Sequence, residues 1–197
     1  MMKIKSVDIA FVLDRSGSMS SIKKETIRQF NSYLEKQKSE KKKIFWSMAL
    51  FNEEYELLFD RALVEEIPEL NDHNYQPGGC TALLDAMGQT ICQMESKQKK
   101  EGIQNIILCI LTDGLENASR EYSLENIRLL IKEKRGKGWE FVFLGADQDA
   151  IATAGSMGMN RRYAHNFQAS DNGIKCCMKS VENSLDKIAS IMLSREE

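Results

Sequence analysis

The chain contains a largely apolar run, Val7-Asp8-Ile9-Ala10-Phe11-Val12-Leu13, that leads directly into the polar sequence Asp14-Arg15-Ser16-Gly17-Ser18. The run is rich in β-branched and aromatic side chains, which predicts a buried strand. A carboxylate and two hydroxyls then follow at alternate positions on a short loop that contains Gly17. The sequence therefore predicts a strand that ends in a cluster of oxygen groups.

Two further oxygen groups occupy similar places later in the chain. Thr81 follows the pair Gly78-Gly79, and Asp113 follows the apolar run 106–111. Oxygen donors on three separate loops suit a hard divalent cation, because such cations take oxygen ligands and rarely use thiolate or imidazole. We predict a magnesium-type site that binds a ligand and does not catalyse a reaction. The predicted metal-binding residues are Asp14, Ser16, Ser18, Thr81 and Asp113.

The length and charge of the chain limit the class of protein. It has 197 residues, of which 42% are hydrophobic, and only 2 prolines, which predicts one folded domain over residues 1–197. The formal net charge of -2 argues against broad, non-specific binding of nucleic acid. The apolar runs are too short to span a bilayer. We therefore expect neither a nucleic-acid partner nor a membrane partner.

Cysteine usage and the N-terminal sequence bear on the compartment. The chain has 5 cysteines and no C-x-x-C pair, and free thiols in a reducing compartment are the simplest interpretation. Residues 1–13 contain lysines, but Asp8 interrupts the apolar run and no small-residue cleavage site follows. This pattern favours a first strand over a signal peptide. We expect a cytoplasmic protein.

Apolar, β-branched runs alternate with longer amphipathic stretches along the chain. This alternation predicts an α/β fold, with a doubly wound, mostly parallel sheet that has helices on both faces. Residues 52–54 are too short a link for a parallel crossover, so they predict an antiparallel hairpin with one reversed strand at an edge of the sheet. The predicted strands are residues 7–13, 45–51, 55–62, 106–112, 139–145 and 162–166. The predicted helices are one capped by Ser20 or Ser21, then 81–97, 123–134, 147–157 and one from Ser170 or Asp171 to about Leu193.

Three sequence segments together resemble the metal-ion-dependent adhesion site of von Willebrand factor A (vWA) domains. They are Asp14-x-Ser16-x-Ser18, the segment Gly78-Gly79-Cys80-Thr81-Ala82-Leu83, and the segment Leu111-Thr112-Asp113-Gly114. The alternation of strands and helices also resembles this family over nearly the whole chain, which implies the Rossmann-like vWA fold. The residues of these three segments are most similar to those of stand-alone bacterial or phage members of the family.

The resemblance implies a role for each residue of the site. The hydroxyls of Ser16 and Ser18 would bind the metal directly, Thr81 would do so in one state, and Asp14 and Asp113 would act mainly through bound waters. Neutral hydroxyl ligands leave the charge of Mg²⁺ (or Mn²⁺) poorly neutralised, and Mg²⁺ keeps several exchangeable waters. The implied partner is therefore a protein that supplies an Asp or Glu carboxylate to the metal.

Other interpretations of the same residues remain open. Asp14 and the two serines could cap a helix and satisfy backbone groups of the loop. A magnesium site at the carboxyl end of a sheet could also belong to a hydrolase or phosphatase, although such enzymes need a second carboxylate where this chain has Ser16. A third alternative is a structural subunit of a larger complex. Glu116 and Asn117 are interpreted as a solvated loop in preference to a partner contact. Asp85 is interpreted as an exposed helix position in preference to a residue that orients the loop of Thr81.

Overall fold

The computed structural model describes residues 6–40, 44–146 and 149–194, and its centre is a six-stranded sheet. The strands are β1 (Val7–Asp14), β2 (Ile44–Phe51), β3 (Tyr55–Leu63), β4 (Asn105–Thr112), β5 (Glu140–Ala146) and β6 (Ala164–Phe167). The helices are α1 (Lys23–Ser39), α2 (Leu83–Glu101), α3 (Leu124–Gly136), α4 (Ala150–Ser156) and α5 (Asp171–Ser194). The strand order is β3-β2-β1-β4-β5-β6.

The pairing of the strands confirms the predicted fold class. β1 pairs in parallel with both β2 and β4, and the β4–β5 and β5–β6 pairs are also parallel. β3 pairs antiparallel with β2 and forms one edge of the sheet. Because the chain leaves β1 toward β2 and later adds β4 on the other side, the strand order reverses at β1. The carboxyl ends of β1 and β4 therefore meet at the position where open α/β sheets bind ligands.

The sheet separates two layers of core side chains. Alternate residues of β1 point to opposite faces, so Ile9 and Phe11 join one hydrophobic cluster while Ala10 and Val12 join the other. The first cluster contains buried residues of α1 and α5, and the second contains those of α2, α3 and α4. Burial on both faces explains why β1 and β4 are apolar along almost their full length.

The start of the first helix differs from the prediction. Neither Ser20 nor Ser21 caps it, because Gly17–Ile22 forms a 3₁₀ segment and α1 begins at Lys23. Ser123 does cap α3, with its hydroxyl accepting from the Asn126 N–H. The predicted start of the fourth helix at Asp147 lies outside the described residues, and within them α4 begins at Ala150 with Asp149 as its cap.

All 5 cysteines lie in the described residues and all are free thiols. Cys109 and Cys177 are buried, whereas Cys80, Cys92 and Cys176 are exposed. Within the described ranges, no helix is long and apolar enough to cross a membrane.

A charged cluster joins three elements at the edge of the sheet where β1 begins. Arg61, which has a left-handed backbone conformation with φ of 45°, reaches from β3 to the carboxylate of Asp8 on β1 (Nε–Oδ1 2.7 Å). Its Nη1 donates to Glu101 at the end of α2, at 2.8 Å. Asp8 is buried, and its Oδ2 has no hydrogen-bond partner among the described residues. One arginine therefore holds the edge strand against the central strand and α2.

Burial of Asp8 should give the protein a measurable pH dependence. Burial raises the pKa of Asp8 to about 6, although Arg61 acts to lower it. The folded state therefore keeps a proton on Asp8 between about pH 4 and pH 6, where the unfolded chain loses it. We expect the free energy of unfolding to rise as the pH falls through this window, by at most about 3 kcal/mol from this residue. Urea unfolding of Asp8→Asn between pH 4 and 7 should show a smaller rise than the wild type does, and the part that remains comes from Asp14, whose pKa burial also raises to about 6.

The exposed Asp171 provides a matched control. Asp171→Asn makes the same chemical change at the start of α5 and should keep the pH dependence of the wild type. The assignment is wrong if the wild type and Asp8→Asn show parallel stability curves across the window.

Candidate metal centre

Three loops converge at the carboxyl ends of β1 and β4. Backbone bonds join them: the Gly17 N–H donates to the Gly79 carbonyl at 3.0 Å, and the Gly78 N–H donates to the Arg15 carbonyl at 2.8 Å. The Arg15 N–H in turn donates to the carbonyl of Phe51, the last residue of β2. The loop after β1 is therefore fixed against both the end of β2 and the segment that precedes α2.

The predicted oxygen donors lie together at this point. The hydroxyls of Ser16 and Ser18 are 3.1 Å apart, and the Ser18 hydroxyl donates to Asp113 Oδ1 at 2.5 Å. A Cβ atom added at Gly114 would lie 2.6 Å from Thr81 Oγ1 and 3.5 Å from Ser18 Oγ. Gly114 thus leaves open the small space that these oxygens surround. A hard cation fits this set, since every donor is an oxygen.

Asp14 lies beneath the cluster and is fully buried. Its carboxylate accepts from the Ser16 N–H at 2.6 Å and from the Thr112 hydroxyl at 2.5 Å. Its carbonyl accepts from the Tyr75 hydroxyl at 2.7 Å. Burial, together with a smaller effect of the charge of Asp113, raises the pKa of Asp14 to about 6, although the hydrogen bonds from Thr112 and Ser16 act to lower it. A cation beside Asp14 would favour the ionised carboxylate.

Thr81 is held on both sides of its peptide by the loop after β4. Its N–H donates to Asn117 Oδ1 at 2.9 Å, and its carbonyl accepts from the N–H groups of Asn117 and Ala118 at 3.0 and 3.2 Å. Glu116 adds a second connection, because its carboxylate accepts from the Leu84 N–H at the start of α2, at 2.9 Å. The loops that carry Thr81 and Asp113 therefore form one connected unit.

Asp85, in the first turn of α2, also connects this helix to the loop after β4. Its carboxylate accepts from the backbone N–H groups of Arg120, Glu121 and Tyr122 at 2.7 to 2.9 Å. These contacts correct the sequence interpretation of Asp85 as an ordinary exposed position. The bonds from Leu84 to Glu116 and from Thr81 to Asn117 likewise correct the interpretation of these two residues as merely solvated.

The structure thus brings the five predicted oxygen groups together, and it adds Thr112 and Tyr75 as supporting residues that the sequence analysis did not identify. Thr112 gives a sequence signal, since it is a hydroxyl at the end of an otherwise apolar strand. Tyr75 gives none, because its contact with Asp14 spans 61 residues of chain. In the described residues, no group of three or more His, Cys, Asp and Glu side chains could hold a metal.

Thr112 is not a predicted metal ligand, but its replacement should weaken metal binding through Asp14. Thr112→Val keeps the shape of the side chain but removes the donor to Asp14, so the carboxylate is oriented less well. Loss of such outer contacts typically costs about 10- to 100-fold in metal affinity. We expect at least a 10-fold weaker Mg²⁺ affinity by isothermal titration calorimetry.

Thr26→Val is the matched control, because Thr26 is buried in α1 and its Oγ1 has no hydrogen-bond partner among the described residues. This control should bind Mg²⁺ as the wild type does. Equal affinities for wild type and Thr112→Val would rule out the supporting role of Thr112.

Comparison with known proteins agrees with this architecture. A search of curated protein sequences finds no match to the chain. One solved structure is that of proximal thread matrix protein 1 from the mussel byssus, with a zinc-occupied metal-ion-dependent adhesion site (MIDAS) motif. It is 14% identical to this chain with a TM-score of 0.60, and the match covers 91% of this chain and 46% of that one. The vWF domain of the type V pili tip protein Mfa5 from Porphyromonas gingivalis is 10% identical with a TM-score of 0.63, over 92% and 95% of the two chains. The ArnB paralog VWA2 from Sulfolobus acidocaldarius is 15% identical with a TM-score of 0.60, over 89% and 45%.

These likenesses concern the fold, and the chain spans only about half the length of the mussel and Sulfolobus proteins. The sequence comparison is more direct, because a family model for the von Willebrand factor type A domain matches residues 8–181. This match includes both central strands and all three loops of the candidate centre. The protein belongs to the von Willebrand factor type A domain family.

Proposed function

We propose that this protein is a divalent-metal-dependent protein-binding module. Mg²⁺ (or Mn²⁺) is held by Asp14, Ser16, Ser18, Thr81 and Asp113, and an Asp or Glu carboxylate of a protein partner completes its coordination. The observation that carries the proposal is the chain of oxygens from Ser16 through Ser18 to Asp113, with successive separations of 3.1 and 2.5 Å. The proposal includes no nucleic-acid or membrane partner.

The spacing of the two serine hydroxyls supports direct ligation. Mg²⁺ binds oxygens at about 2.0–2.1 Å in octahedral geometry, so neighbouring ligands lie about 3 Å apart. The 3.1 Å between Ser16 Oγ and Ser18 Oγ matches this distance. Asp14 already accepts from Ser16 and Thr112, which supports an indirect role for its carboxylate through bound water.

The burial of the donors supports a partner that approaches from one side. Asp14, Ser16 and Thr81 are buried, whereas Ser18 is exposed and Asp113 is partly exposed. Leu115, two residues after Asp113, is 69% exposed on the rim. A carboxylate from such a partner could replace a water on the open side of the metal.

The choice of metal follows from the ligands. Hydroxyl and carboxylate oxygens favour Mg²⁺ or Mn²⁺ over softer cations, so the proposal keeps these two. The mussel protein holds zinc at its MIDAS motif, which makes zinc the competitor to include in any titration.

The proposal also extends to the chain as a whole. We propose one vWA domain over residues 1–197, of the stand-alone type found in bacteria or phages, and its free thiols favour a location in the cytoplasm. The pilus proteins among the structural neighbours give this location no support.

A magnesium-dependent hydrolase or phosphatase is the main alternative. The residue two positions after Asp14 is Ser16 rather than a second carboxylate. A hydrolase would also need a general base. His165, one of the two histidines of the chain, is hydrogen-bonded to Ser184 of α5 at 3.0 Å and not to a residue of the candidate centre. A second alternative is a structural subunit in which the metal only stabilises the loops. Magnesium-dependent turnover of p-nitrophenyl phosphate that is lost in Asp14→Asn would favour the enzyme.

Partner capture should separate the binding module from the structural subunit. Tagged wild-type protein is incubated with lysate of the source cell in Mg²⁺ and in EDTA, alongside Thr81→Ala in Mg²⁺. We expect at least one protein to be retained only by the wild type in Mg²⁺, because the variant lacks one metal ligand. Quantitative mass spectrometry measures the retained proteins.

Thr153→Ala, a change in α4 outside the three loops, is the control and should capture the same protein as the wild type. Capture that persists equally in EDTA and in Thr81→Ala would contradict the proposal, since the interface would then not include the metal.

A further inference from the structure

A groove of about 440 Å³ lies beside the candidate metal centre. Its walls are the hairpin loop between β2 and β3, the first turns of α2 and the loop that follows β4. This volume lies within the range of about 300–1,000 Å³ that is usual for ligand sites. None of the five predicted metal-binding residues lines it, so it is a separate feature of the same surface.

The groove is continuous with the loop that carries Thr81. Cys80, the residue before Thr81, lines the groove, and its N–H donates to the carboxylate of Glu53 at 2.7 Å. The Ala82 N–H, on the other side of Thr81, donates to the Asn52 carbonyl at 2.9 Å. A partner segment that reaches a metal beside Thr81 is therefore close enough to this groove to place a neighbouring side chain in it.

The walls of the groove carry an excess of negative charge. Four carboxylates line it against one guanidinium, that of Arg120. The carboxylate of Asp85 is engaged by three backbone N–H groups. Glu54 and Glu121 are exposed, and the Glu121 carboxylate accepts a hydrogen bond from the uncharged side-chain amide of Gln89 at 3.2 Å. The four acidic residues are Glu53, Glu54, Asp85 and Glu121.

The groove also has apolar surface. Tyr55, which is partly exposed, contributes an aromatic ring, and Ala82 and Ala86 are further apolar residues of the wall. An apolar wall with acidic groups around it matches one kind of side chain well. Lysine and arginine place an aliphatic stem against apolar surface while the charged head stays near water and carboxylates.

We propose that the partner segment that supplies the carboxylate to the metal also carries a lysine or arginine, and that this basic side chain occupies the groove. The inference rests on the proposed metal-dependent function and narrows the partner to a segment with an acidic and a basic residue at a fixed spacing. The metal selects the acidic residue, and the groove selects the basic one by charge complementarity. The two contacts together give a specificity that neither gives alone.

The test uses a random heptapeptide library displayed on phage and panned on Mg²⁺-loaded protein. Peptides enriched on the wild type should contain an acidic and a basic residue at a constant spacing, and EDTA should release them. The variant Glu54→Gln/Glu121→Gln removes two charges from the groove and changes none of the five predicted metal-binding residues. It should enrich acidic peptides that lack the basic residue, and its Mg²⁺ affinity should equal that of the wild type.

The control Glu65→Gln/Glu125→Gln makes the same change in charge at exposed positions outside the groove. It should enrich the same peptides as the wild type. A selected peptide should bind the groove variant roughly 3- to 10-fold more weakly than the wild type. Replacement of its basic residue by norleucine should remove most of that difference, because the two changes delete the same contact.

Two results would overturn the inference, and they are distinguishable. The groove is not the site of the basic residue if metal-dependent peptides are acidic but lack a basic residue. The same holds if the groove variant still selects peptides with the basic residue. Either result leaves the proposed metal-dependent function in place. Enrichment that is indifferent to EDTA refutes the proposed function and, with it, the inference.

Discussion

Asp14 brings an ionisable carboxylate into the interior at the end of β1, where a carboxylate without partners would be strongly destabilising. Around it the protein places a backbone N–H from Ser16 and a hydroxyl from Thr112 on the adjacent strand. The Tyr75 hydroxyl binds the carbonyl of the same residue. These contacts fix where the loop after β1 can run, and they set the positions of Ser16 and Ser18. The geometry of the whole carboxyl edge therefore depends on how this one carboxylate is satisfied.

In the neighbouring loops, side-chain oxygens likewise accept hydrogen bonds from backbone N–H groups. Glu116, Asn117 and Asp85 each accept from N–H groups at the start of α2 or in the loop after β4. Such bonds satisfy backbone groups that neither a helix nor a sheet could pair. They also explain how three irregular loops hold a defined arrangement without regular secondary structure. The carboxylates in this region serve the backbone as much as they serve a ligand.

Much of this architecture could be predicted from the sequence because its signals are local. The uniformly apolar runs that became β1 and β4 identify buried parallel strands, and the three-residue link 52–54 identifies the hairpin. The grouping of Asp14 with Thr81 and Asp113 followed from a sequence motif together with strand order. The start of α1 was not predictable in the same way, since Ser20 and Ser21 are good capping residues but lie within a 3₁₀ segment.

The support of the site could not be predicted because its contacts are distant in sequence. Asn117 meets Thr81 across 36 residues, and Asp14 meets Thr112 across 98. Glu116, three residues after Asp113, is expected from the sequence to be solvated. Its bond with the Leu84 N–H forms because the start of α2 lies beside it in the fold. The same holds for Arg61, whose contacts with Asp8 and Glu101 require β3, β1 and α2 to meet.

Helix α2 connects these two regions. It begins beside Thr81, where Leu84 bonds to Glu116, and it ends beside the charged cluster, where Glu101 bonds to Arg61. Its 19 residues span about 28 Å at 1.5 Å per residue, and buried side chains such as Met87 and Ile91 fix it to the sheet. Because both ends are bonded and the middle is packed, α2 supports the segment that carries Thr81. The proposed partner would therefore meet a surface that is already ordered, and little of its binding free energy would be lost in ordering the loops.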